Sequence, residues 1–172
     1  MATSSAEINI RPATPDDCPE IMRLIMELAI FEKLPEQVKM TVDVLRKDCF
    51  GEKPLCYCIV AEPVQTESPD LIGYALYFST YSTWEGAALH LEDLYVTPAF
   101  RGKGIGKRLW KHVTKDGLER GCNRLQLSVL GWNTHAKDLY LRNGCIDLTE
   151  TEDWHLMRMK RNTMEAFVKD LL

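Results

Sequence analysis

With 172 residues, 45% of them hydrophobic and 27% charged, the chain can bury one real core and has the composition of a globular domain. Its net charge of −4 disfavours a nucleic-acid partner, since neutralising phosphates calls for a strongly basic face, and suits a cationic substrate better. No apolar run approaches the ~20 residues of a membrane span, and Met1 to Glu7 carry neither the basic nor the apolar stretch of a secretion signal, so a cytoplasmic protein with no membrane partner is expected.

Residues 1–6 are expected to fray. Residues 8–11 alternate as a first strand, and Thr14 to Asp17 offer a cap and early acids to a helix whose apolar stripe is Ile21, Leu24, Ile25, Leu28 and Ala29. Lys33 to Glu36 break it, and Thr41 opens a second helix ending near Gly51. Residues 56–62 and 71–81 read as antiparallel strands around a polar loop, 63–70. A turn at 81–86 leads to a strand at 90–96, stopped by Thr97-Pro98, because proline has no amide to give a ladder. Ile105, Leu109 and Val113, four apart, then mark a helix face. Residues 124–130 read as a strand, 134–142 as a helix closed by Gly144, 154–160 as a final strand and 164–172 as a short helical tail. The six cysteines fall singly apart from Cys56-Tyr57-Cys58, and none has zinc spacing with histidine, so free thiols in a reducing compartment and no metal are expected. With no repeat or linker, residues 1–172 read as one domain of the α/β class, a mixed, mostly antiparallel sheet with helices on both faces.

The chemistry concentrates at Arg101-Gly102-Lys103-Gly104-Ile105-Gly106-Lys107-Arg108. Glycines at a helix start let a diphosphate approach free amides, and the helix dipole and neighbouring cations favour its charge. A P-loop would need Gly-Lys-Ser/Thr where this chain has Gly106-Lys107-Arg108. A dinucleotide fingerprint would need a different glycine spacing and an early β-α-β unit. A plain glycine-rich turn with solvated basic neighbours is the bland alternative.

Following Val96-Thr97-Pro98, this stretch resembles the arginine/glutamine-x-x-glycine-x-glycine signature of the GCN5-related N-acetyltransferases (GNATs), whose loop holds the pyrophosphate of acetyl-CoA. The likeness extends along the chain, through Ile10 to Thr14, Phe31-Glu32-Lys33-Leu34, Tyr81-Ser82-Thr83-Trp84, Leu91-Glu92-Asp93, Asp138-Leu139-Tyr140 and Asp147-Leu148-Thr149, to the diamine acetyltransferase branch. Phe31 to Leu34, Tyr81 to Trp84 and Val129 to Asn133 are more similar to members acting on thialysine than to those acting on spermidine or spermine. Cys145, Asp153 and the loop 63–70 depart from the pattern, and Asp153 bears on fine specificity.

The resemblance implies an acetyl-CoA-dependent N-acetyltransferase of small primary amines, working by direct transfer, as a homodimer meeting through its C-terminal strand and tail. It assigns the diphosphate to Arg101, Gly102, Lys103, Gly104, Ile105, Gly106 and Lys107, and the pantetheine arm to the backbone of Leu94, Tyr95 and Val96. Asn133, Thr134, His135, Ala136, Tyr140, Leu141, Arg142 and Asn143 flank the cofactor. Phe31, Glu32, Glu92, Asp93, Gln126, Leu127, Ser128 and Glu152 line the amine site, with Glu32, Glu92 and Glu152 supplying carboxylates from separate segments. Tyr140 is implied as general acid, its phenol, with reference pKa near 10, being somewhat more basic than a thiolate. Its bland reading is a packed core tyrosine, and that of each acid a solvated surface group. Glu92 and Asp93, being adjacent, are expected on opposite faces of their strand, Glu92 in the site as base or amine ligand and Asp93 towards structure or the rim. His112, His135 and His155 show no ligand spacing, and His90 has no assigned role. A protein or peptide acetyltransferase and a non-catalytic CoA-binding module are the competing classes.

Overall fold

A computed structural model describes residues 7–64 and 70–171. The expected frayed start and most of the loop 63–70 lie outside the described residues. The chain divides into two compact units, Met1–Ser128 and Val129–Leu172.

The first unit is built on a five-stranded sheet in the order β1-β2-β3-β4-β5, comprising β1 (Ile8–Pro12), β2 (Tyr57–Pro63), β3 (Gly73–Ser82), β4 (Gly86–Val96) and β5 (Arg124–Leu127). The first four strands run antiparallel to their neighbours, and β5 joins β4 in parallel. This is the expected mixed, mostly antiparallel α/β sheet. Helices α1 (Cys18–Phe31) and α2 (Val42–Phe50) cover one face, where Ile21, Leu24, Leu45 and Cys49 bury against Cys58, Val60, Tyr74, Leu76 and Tyr95. Each such aliphatic side chain contributes about 1.5–3 kcal/mol of transfer free energy. Helix α3 (Ile105–Glu119) covers the other face with Ile105, Leu109 and Val113, the stripe its spacing predicts. A Cβ on Gly117 would meet a Leu89 methyl at 2.7 Å, so α3 lies tight on β4 only because that position is bare.

Most strand boundaries move by one or two residues, and two move further. β4 begins at Gly86 instead of 90, because β3 reaches round the turn and pairs Ser82 with Gly86 and Thr80 with Ala88, overriding alanine's weak strand preference. β5 stops at Leu127 instead of running to 130, since its last partner is Leu91, beyond which β4 changes course.

The second unit contains α4 (Thr134–Arg142), α5 (Leu148–Glu152) and α6 (Arg161–Phe167), with a short 3-10 turn at Lys169–Leu171 in place of a continuous helical tail. Asn133 Oδ1 caps α4 by accepting from the Ala136 amide, and Asp147 Oδ1 caps α5 through Thr149. Lys137 Nζ ties α4 to the start of α5, 2.8 Å from Asp147 and 2.6 Å from Glu150. The expected strand at 154–160 is absent from the described ladders. Asp153 turns left-handed at φ 59°, Thr149 Oγ1 donates to the Trp154 carbonyl, and the following residues join no ladder among the described residues. Alternation alone does not make a strand.

All six cysteines are free thiols, with Cys49 and Cys56 Sγ 2.9 Å apart. Among the described residues no His/Cys/Asp/Glu group has metal-site geometry, and no helix is long and apolar enough to cross a membrane.

Candidate functional site

The first unit's site starts with a break in β4. Leu76 of β3 pairs with Asp93 and Tyr77 with Leu91, so Glu92 is an extra residue, a β-bulge. The consequence is visible on the α3 side: Leu89 meets Gly117 and Val96 meets Gly106, although seven residues separate Leu89 from Val96 and a regular strand would put them on opposite faces. The expected opposition of Glu92 and Asp93 therefore fails. The bulge resets the phase, placing Asp93 on the same face as His90, the face that carries Tyr74 and Phe78. One sequence signal marks it: the apolar alternation runs Leu89, Leu91 and then Leu94, Val96, slipping by one residue across Glu92-Asp93.

On that face Tyr74 Oη donates to Asp93 Oδ2 at 2.8 Å, and His90 Nε2 lies 3.5 Å from Glu92 Oε2. Burial pushes the Asp93 carboxyl up to about 6; the Tyr74 hydrogen bond works against that, and the charges of Glu92 and Glu32 add to it. Burial also raises Glu32, at the C-terminus of α1. Three carboxyl groups thus share one field within the first unit, and a cation placed among them would relieve their repulsion. Gln126 lies across from His90 in the β4–β5 register and Leu127 across from Leu91, with Ser128 next along.

The glycine loop has the expected anion-receiving form. Gly102 and Gly104 are left-handed, at φ 75° and 76°, and a Cβ at either would stand in open space. Gly104 caps α3, leaving the Ile105, Gly106 and Lys107 amides without intrahelical acceptors, and no acid stands in the first turn. A phosphate group fits this cradle. Arg101 points elsewhere than the diphosphate assignment implies: its Nε donates to the Val96 carbonyl at 2.8 Å, and its guanidinium stacks 4.8 Å over Phe31 and 5.2 Å over Tyr95. It ties the loop to the end of α1. Lys103 Nζ lies over Phe100, and Arg108 donates to the Ile8 carbonyl. Past Leu91 the edge of β4 away from β3 has no strand partner among the described residues, so the backbone groups of Leu94 to Val96 on that edge, apart from the Val96 carbonyl held by Arg101, are open to an extended amide chain.

The second unit holds the remaining assigned residues. Thr134, His135 and Ala136 form the first turn of α4, and the Asn133 side chain is engaged in its cap. Tyr140 is 9% exposed, and burial, with a smaller part from Cys145, pushes its phenol up to about 12. Leu141 is partly exposed, Arg142 reaches Asp138 at 3.7 Å, and Asn143 Nδ2 donates to the Leu139 carbonyl. Glu152 accepts from Trp154 Nε1 at 3.0 Å. Within the first unit the acid that joins Glu32 and Glu92 is thus Asp93, which the sequence left to structure or the rim. His90 is the residue passed over entirely, because nothing in its spacing singles it out.

Residues 20–145 match the model of the Acetyltransferase (GNAT) family. A thialysine N-epsilon-acetyltransferase of Bos taurus is 47% identical over 163 residues, covering 92% of this chain and 96% of that protein. A spermidine/spermine N(1)-acetyltransferase-like protein of Homo sapiens is 39% identical over 165 residues, 94% of this chain and 24% of that protein. Among solved structures, an integron cassette protein of V. cholerae shares the fold with TM-score 0.74 at 20% identity, covering 94% of this chain and 98% of its own.

Proposed function

The chain belongs to the GNAT acetyltransferase family as an acyl-CoA-dependent N-acetyltransferase, and from that premise we propose that it transfers acetyl from acetyl-CoA to the side-chain amine of thialysine or a similar small amine. The observation that carries the reading is the β4 bulge, which sets Glu92 and Asp93 beside Glu32 on the strand whose open edge leads to the glycine cradle.

In this reading the Ile105, Gly106 and Lys107 amides, with Lys103 and Lys107, hold the diphosphate, and the free edge at Leu94 to Val96 pairs with the pantetheine amides. Bound acetyl-CoA supplies an acyl thioester ready for attack. Glu32, Glu92 and Asp93 draw in the ammonium, Glu92 takes its proton directly or through water, and Gln126 to Ser128 and Phe31 shape the pocket wall. Tyr140 offers its phenolic proton to the departing thiolate. Spermidine or spermine is the second reading, favoured by three carboxyl groups where one amine needs fewer.

A panel of thialysine, spermidine, spermine, lysine and a histone peptide, followed by CoA release, tests this directly. Thialysine is expected to lead the others in kcat/KM by about tenfold or more, a difference of ~1.4 kcal/mol. A polyamine ahead of thialysine transfers the assignment to the second reading. Turnover of the peptide alone, or CoA binding with no product, overturns both.

The family match runs from residue 20 to 145, across the boundary between the two units, which supports one catalytic domain. The free thiols support a reducing, cytoplasmic location. A homodimer is supported by the extended stretch after Asp153, where Leu156 and Met157 are 77% and 86% exposed. Light scattering is expected to give twice the chain mass, and a monomeric mass at micromolar concentration contradicts it.

A further inference from the structure

Of the histidines, His90 is the one built into the acid-bearing face. Its ring stacks on Phe78 with centroids 5.2 Å apart and planes 29° from parallel, a contact made across the β3–β4 register that pairs the two residues. On the other side β5 places Gln126 opposite it. His90 therefore sits in a row of three, Phe78, His90 and Gln126, running across three strands on one face, with the Glu92 carboxylate two residues along its own strand and 3.5 Å from Nε2. The His90 side chain is 23% exposed and that of Glu92 52%, so the ring is held while the carboxylate still reaches solvent.

We propose that His90 is a positioning and specificity residue of the amine site: held on Phe78 beside Gln126, its imidazole sets where the Glu92 carboxylate rests and so which of its oxygens meets the substrate's ammonium. The inference rests on the reading of Glu92 as the amine-binding acid. A stacked ring has little freedom left, so its Nε2 edge defines where Glu92 Oε2 rests and leaves Oε1 for the incoming amine or its bridging water. Neutral imidazole can do this as a donor without cancelling the carboxylate's charge.

The other charged groups bearing on this position are Asp93, on the same face of β4 and hydrogen-bonded by Tyr74; Glu32, from the end of α1; and Arg124, two residues back from Gln126 on β5 and paired with Glu85 at 3.0 Å. Arg124 is thereby engaged by another acid. Asp93, at about 6, gains its proton on mild acidification and weakens amine binding in its own right, so position 90 is read out above that range.

Two variants test the position. His90→Gln keeps an N–H donor in place of the ring; His90→Phe keeps a stacking ring and removes the donor. With acetyl-CoA saturating, kcat and KM for the amine are measured at about pH 8. His90→Phe is expected to raise KM for the amine about tenfold while kcat falls less than about threefold, and His90→Gln is expected to recover most of that loss in KM. An unchanged acetyl-CoA KM in both variants certifies the fold. A His90→Phe variant with wild-type amine KM, or a His90→Gln variant no better than His90→Phe, overturns the inference and leaves the proposed function standing. A wild-type enzyme that turns over no small amine overturns the proposed function, and the inference falls with it.

Discussion

Replacing Tyr140 by phenylalanine is expected to slow acetyl transfer by about 10²- to 10⁴-fold, the usual size of a lost general acid, while the KM for acetyl-CoA changes by less than about threefold. The physical basis is the state of the phenol. Burial holds it at about 12, so it keeps its proton at every pH at which the protein would be assayed. That sharpens the expectation drawn from a free phenol. A group at about 12 giving its proton outright to a thiolate, whose parent thiol titrates near 8.5, runs uphill by ~5 kcal/mol. The useful role is a hydrogen bond that strengthens as charge gathers on the departing sulfur, while the proton the sulfur finally takes comes from the amine that the acetyl group has joined. Two measurements decide it: single-turnover rates, which should fall in the variant, and the alkaline limb of kcat, which should show no ionisation of Tyr140 below about pH 11. Equal rates in Tyr140→Phe remove the residue from the chemistry.

The second large effect is on stability. Asp93 titrates at about 6 in the folded chain against 3.8 for the unperturbed group. Between those values the folded state holds a proton that the unfolded chain has released, so stability falls as pH rises through this window, and the penalty is complete above pH ~6. About two pKa units correspond to ~3 kcal/mol. Asp93→Asn keeps an acceptor for the Tyr74 hydroxyl and never ionises. It is expected to raise unfolding stability by about 1–3 kcal/mol at neutral pH, gain nothing below pH ~4, and weaken the binding of a cationic amine. Urea unfolding at acid and neutral pH checks this, and a variant less stable than wild type at neutral pH refutes it. The wild type carries that cost in a strand whose bulge also serves the site, the usual exchange of stability for a poised functional group.

The glycine loop was legible because its requirements are local. Gly102 and Gly104 need only their own left-handed backbone, and α3 declares itself by the spacing of Ile105, Leu109 and Val113. Family resemblance then pointed to Glu92, Tyr140 and the Leu94 to Val96 edge. The orientation of Arg101 was hidden, because its partners Phe31 and Tyr95 come from a helix and a strand far away in sequence.

By itself, then, the amino-acid order determined the class of fold, nearly every helix and strand and the left-handed glycine turn that opens α3, all of which follow from the conformational needs of single residues and from periodicity along one element, and its motifs carried the family resemblance. Tertiary structure alone decided the rest. The bulge at Glu92 exists because β3 and α3 hold β4 from two sides, so that Leu89 and Val96 both reach α3 only if the strand slips by one residue between them. That slip turns Asp93 towards Tyr74 and sets His90 against Phe78 and Gln126. The stretch 154–160 shows the converse: its pattern is that of a strand, and with no neighbouring edge within its unit to satisfy its backbone it forms none. Register and pairing depend on what lies alongside, and no pattern within a single segment contains that information.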